Sequence, residues 1–160
     1  YIFQISKNPI SKENYLSEDA AFERAERHAC FACEVDDTKR REAINGLVSE
    51  WLPSGLFEGN EDGSFTYLGG YQKWVNDFFI PYVREAAKAM IADKIALSGL
   101  GSSYEVVKRI ENPLDLGSLF IVAENVFEPA KKSGAFMEDF VKFLQPGQRV
   151  YIGGVYDYHF

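Results

Sequence analysis

Histidine and cysteine are nearly missing from this chain, which has two of each in 160 residues. Two cysteines are too few for the disulfide framework of a small secreted domain. That points to the cytoplasm. Secretion after loss of a leader is the alternative, because residue 1 is Tyr and not Met. A structural zinc needs four ligands, and the pair Cys30 and Cys33 has no second pair and only His28 close by. No metal and no cofactor is expected. GxSxG, HExxH, GxGxxG and P-loop spacings are all lacking, so familiar nucleophile, zinc and phosphate chemistries have no carrier. No apolar run approaches the roughly 18 residues of a membrane span, and no low-complexity linker divides the chain. No membrane partner is expected.

Basic residues are also in short supply: 17 Lys and Arg stand against 24 Asp and Glu, for a net charge of −7. An acidic surface repels nucleic-acid phosphate, and no basic stripe interrupts it. Direct nucleic-acid binding is therefore not expected. An acidic domain can instead imitate nucleic acid and inhibit a protein that binds it.

Apolar residues are abundant, at 46%, with 15% aromatic, enough for a core without crosslinks in a chain of this length. The longest helical pattern runs from Gly70 to Ser98. Tyr71, Trp74, Val75, Phe78, Phe79, Tyr82, Val83, Ala86, Ala87, Met90, Ile91 and Ile95 recur there at three- and four-residue steps, which gathers them on one helix side. The stripe turns partway, where Pro81 lacks an N–H for the carbonyl of Asp77, and a kink near Asp77 to Pro81 is expected. Gly99 reads as a left-handed cap. A row of aromatics can line a cofactor site, but their default use is core. Trp74, Phe78 and Met90 are therefore expected to be buried, with this rod as the floor for the other elements.

Around the rod, Tyr1 to Ser6 reads as a strand ended by Asn8 and Pro9. Ser17 caps a helix expected over Glu18 to Cys33, with an extended Ala29 to Val35 as the rival. A second helix opens at Asp36 to Thr38 and ends at Pro53 to Gly55. Leu56-Phe57 and Ser64 to Leu68 flank turn residues and can pair as a hairpin. Ser102 and Glu105 form a capping box for a short helix ending before Pro113. Leu116 to Ala123 suits a buried strand. Ser133 caps a helix carrying Phe136, Phe140, Phe143 and Leu144, and Arg149 to Phe160 is a long last strand.

Gly63 to Gly70 echoes Gly147 to Gly154: Gly, three residues, Tyr, Leu or Ile, Gly, Gly. The expected organisation is one domain over 1–160, with strand–helix–strand halves at about 1–70 and 118–160 joined by the helix 70–98. Gly69-Gly70 reads as a tight strand-to-helix turn, with anion binding as the alternative. Gly153-Gly154 interrupts a strand, which suggests a bulge or the close approach of another backbone.

The sharpest polar pair is Asp157 and His159. Strict alternation puts them on one side of the last strand with Tyr151, Gly153 and Val155, and puts Val150, Ile152, Tyr156, Tyr158 and Phe160 on the other. A carboxylate beside an imidazole can serve proton transfer or a metal. Tyr67 and Tyr151, from the echoing segments, and Tyr156 are the candidate ligand-binding residues. Cys30 and Cys33 read as small core thiols late in an Ala-rich helix, with redox chemistry as the alternative.

These readings add up to an α+β fold, a small mixed or antiparallel sheet of four to five strands packed on a long Pro-kinked helix and several shorter ones. The expected function is a non-enzymatic module for a protein or small-molecule partner. The alternatives are a small enzyme or metal site at Tyr151, Asp157 and His159, and an acidic inhibitor that mimics nucleic acid.

Overall fold

The computed structural model describes residues 1–25, 31–92, 99–124 and 128–159, with backbone alone for 99–102. The fold is α+β around a six-stranded mixed sheet. β1 (Ile2–Ser6) and β6 (Arg149–His159) form its centre. β5 (Leu119–Val122) runs parallel to β1 on one side. On the far side of β6, two short partners share one edge. β4 (Phe65–Tyr67) pairs with its beginning and β2 (Phe31–Glu34) with its end. β3 (Phe57–Gly59) pairs with β4 as the expected hairpin.

β2 is the sixth strand and corrects the expected count of four to five. α1 (Glu18–Ala25) starts where expected, with Ser17 Oγ accepting from the Ala20 N–H at 3.2 Å, but Cys33 lies in β2. The extended rival won because Ala32 and Cys33 pair with Tyr158 and Asp157 of β6, a ladder that local helix propensity cannot anticipate. The part of the helix expectation over 26–30 lies outside the described residues.

Both sheet faces are covered. On one, Phe3, Ile5, Phe120, Val150, Ile152 and Val155 pack against α2 (Asp37–Gly46) and α6 (Ser133–Asp139). Asp36 caps α2 by accepting from the Thr38 and Lys39 N–H groups at 2.9 Å each, and a wide π-type turn (Leu47–Trp51) follows. Phe136 stacks on Phe120 with centroids 4.0 Å apart. Each fully buried side chain of this kind contributes about 1.5–3 kcal/mol. The other face, with Ile2, Leu119, Ile121, Tyr156 and Tyr158, is covered by Ala21 and Ala25 of α1.

The aromatic rod is not the floor of this core. It comprises α3 (Tyr71–Trp74), a π-type turn (Val75–Phe79) and α4 (Ile80–Ala92). In the turn the Ile80 N–H reaches back five residues to Val75, immediately before Pro81. Tyr71 and Trp74 pack on the edge of the main core. Beyond them Phe78 is 45% exposed and Ile91 63% exposed, Met90 is exposed too, and only Ala86 of α4 is buried. α4 packs on α5 (Gly99–Glu111) instead of on the sheet. Gly99 opens α5 and does not cap the preceding helix, and α5 begins before the expected Ser102 cap. The expectation for 93–98 falls outside the described residues.

Gly153 and Gly154 sit together opposite Gln4, where the register between β1 and β6 shifts. This is a bulge. A Cβ on Gly154 would stand 2.1 Å from the Tyr156 hydroxyl, and one on Gly153 would stand 2.7 Å from Gln4 Oε1. The close approach is thus by side chains. The extra residue reverses the alternation beyond it, so Tyr156 and Tyr158 face the α1 side, opposite Val150 and Ile152. Strict alternation had placed all four together.

Candidate functional site

Three elements converge on an apolar cleft of about 610 Å³. The first is the start of the aromatic rod. Gly69 and Gly70, at φ +100° and +93°, turn the chain from β4 into α3, and the first free N–H, that of Tyr71, donates to the Tyr67 hydroxyl at 3.1 Å. One anion-holding group of that turn is therefore already used. Tyr71, Trp74 and Phe79 then face the cleft. Phe78 and Phe79, in the widened turn, both stack on Trp74, with centroids 6.0 and 5.6 Å from it.

The second element is the end of α5, with Ile110, Glu111 and Pro113. Arg109 ties α5 to α4: its guanidinium lies 4.2 Å from the Tyr82 ring centre and donates to the Tyr82 carbonyl at 2.6 Å. The third is α6 with the residues before it, which supply Ala130, Lys131, Lys132, Ala135 and Met137. Gly134 allows α6 to meet α5, because a Cβ there would lie 2.2 Å from the Ile110 carbonyl oxygen. Asn112 secures the junction, accepting from the Ser133 hydroxyl at 2.6 Å.

Charged groups sit at the rim in ion pairs. Lys132 meets Glu111 at 2.8 Å, and Lys131 meets Glu128 and Asp139 at 2.9 Å each. Burial opposes the charge on Lys131, but the two carboxylates outweigh it and raise its pKa. The Tyr71 hydroxyl donates to Glu138 at 2.7 Å, and Lys142 also pairs with Glu138. Lys142 and then Tyr71 hold Glu138 below the usual carboxylate range, whereas burial and Glu138 raise the Tyr71 phenol. The pair Lys131–Asp139 also borders a smaller cavity of about 440 Å³ that includes Lys7, Glu124, Glu128 and Phe140.

The residues singled out from sequence are dispersed. Tyr67 is buried and does not line the cleft, and its hydroxyl accepts from the N–H of the cleft residue Tyr71. Tyr151 is half-buried on β6 opposite Ser6. Tyr156 is fully buried, and its hydroxyl donates to the Leu16 carbonyl. Asp157 is half-buried opposite Cys33, and His159 is exposed, its ring 6.3 Å from that of Phe31. The bulge puts Tyr151 on the other sheet face from Asp157 and His159, so those three do not converge. Cys33 is a free thiol in a strand, and Cys30 and His28 lie outside the described residues. Among the described residues no three His, Cys, Asp or Glu side chains are spaced to hold a metal, and no helix is long and apolar enough to cross a membrane.

The cleft residues Trp74 and Phe79 carried a visible signal, a dense aromatic row on one helix. Sequence reasoning assigned that row to the core. Lys131, Lys132 and Gly134 carried no signal beyond their position at the start of a helix. Comparison with family models, with curated proteins and with solved structures finds no match to this chain.

Proposed function

We propose that this chain is a non-enzymatic binding module, and that its partner is a small molecule with a largely apolar body held in the cleft between α3, α5 and α6. One observation carries this reading: an aromatic and aliphatic hollow of about 610 Å³ stays open where three elements meet, while the charged groups around it are paired at its rim. Ligand sites have this build, apolar walls with a few placed polar groups.

N-phenyl-1-naphthylamine, uncharged at neutral pH and fluorescent when shielded from water, tests the proposal. One saturable site is expected, with a Kd on the order of 10 μM. Ala135→Phe, which fills the cleft from α6, should weaken binding at least about tenfold while the protein stays folded by circular dichroism. Unchanged binding by this variant, or no saturable binding by the unmodified chain, would contradict the proposal.

A further inference from the structure

We infer that the ligand of this cleft is an apolar organic cation, its body against Trp74, Phe79 and Met137 and its ammonium or amidinium group at the carboxylates of Glu138 and Asp139. The inference rests on the reading of the cleft as a small-molecule site. It comes from asking which sign of charge the rim can still accept.

The two lysines that line the cleft are each paired. Lys131 is 16% exposed and held between Glu128 and Asp139, and Lys132 is held by Glu111. An anionic ligand at Lys131 or Lys132 would meet the carboxylates of Glu128, Asp139 and Glu111 beside it. The acids keep spare capacity. An ionised carboxylate offers about four lone-pair sites. Glu138 uses two, for Tyr71 and Lys142, and its side chain remains 58% exposed. Asp139 receives Lys131 and remains 51% exposed. Both close α6, whose last turn carries no basic residue. The two adjoining cavities are lined by five carboxylates and three lysines, and Lys142 beside Glu138 makes a fourth, which leaves the acids one in excess. The Trp74 and Phe79 rings, stacked on each other at 5.6 Å, supply the apolar wall for the ligand's body.

Three probes on one skeleton separate the cases: 2-(2-naphthyl)ethylamine, 2-ethylnaphthalene and 2-naphthylacetate, each used to displace N-phenyl-1-naphthylamine at neutral pH. The amine should bind about tenfold tighter than the hydrocarbon, as a charge-assisted hydrogen bond at a partly exposed site gives. The acid should bind more weakly than the hydrocarbon. The double variant Glu138→Gln, Asp139→Asn should bring the ratio of hydrocarbon to amine Kd, measured on the same variant, from about ten to near one. Equal affinities for the three probes, an acid that binds tightest, or a double variant that still prefers the amine overturns the inference and leaves the apolar cleft standing. Failure of all probes to bind, the displaced dye included, overturns both.

Discussion

Arg40 does for β6 what a neighbouring strand does elsewhere in the sheet. β4 and β2 occupy the two ends of one edge of β6, and between them the guanidinium of Arg40 donates to the carbonyls of Ile152 and Gly153, the latter at 2.8 Å. Its plane also lies 5.4 Å from the Tyr15 ring centre. Arg40→Met keeps the length of the side chain but leaves two carbonyls without this donor. A loss of about 2–3 kcal/mol is expected in urea denaturation. Arg40→Lys, with a compact charge and no planar fork, should recover only part of it. Tyr156 makes a second residue-scale prediction. Burial, then the nearby Glu34, raises its phenol above the ordinary value, and its proton is donated to Leu16. In the unfolded chain the phenol ionises near pH ~10. The folded pKa being the higher, the contribution to stability is complete below pH ~10 and is lost as pH climbs toward the folded value. Thermal midpoints should fall more steeply above pH ~10 in the unmodified protein than in Tyr156→Phe. Equal slopes would show that another group governs the alkaline limb.

At the scale of elements, the approach of α6 to α5 depends on a missing side chain. With a Cβ on Gly134 only 2.2 Å from the Ile110 carbonyl, Gly134→Ala must move backbone against backbone. A destabilisation of about 1–3 kcal/mol is expected, together with weaker binding of N-phenyl-1-naphthylamine, since the same shift respaces two cleft walls. An unaltered urea midpoint would refute this account. Elements with a local signature were legible in sequence: the alternation of β6, the opening of α2 at Asp36 to Thr38, and the turn between β3 and β4. β2 was legible only as the rival reading of Ala29 to Val35, because Ala32 and Cys33 owe their extended form to β6, far along the chain. The bulge was visible as Gly153-Gly154, but its consequence was not. One extra residue turns Tyr156 to the opposite face, and strict alternation assigns it wrongly. Periodicity in α4 established an apolar side without naming its cover, which is α5.

For the molecule as a whole, sequence supported the α+β class and an ample core, but misplaced its centre. The core lies where Phe3, Phe120 and Phe136 meet between the sheet and α6, while Phe78 and Met90 remain exposed on the rod. The cleft was illegible for a physical reason: it is the space left where residues 71–79, 110–113 and 130–139 converge, and no single stretch encodes a space. Tyr67 and Tyr156, singled out as ligand-binding candidates, serve packing and hydrogen bonding within the body. The sheet also has an order of arrival. β6 joins β1, β2 and β4, and it follows all the other described strands in sequence. A ribosome that has delivered everything up to residue 148 has made three edges with nothing to zip onto. Such a nascent chain must either wait or be shielded, and its assembly is committed only when the final hydrogen-bonding partner emerges from the exit tunnel.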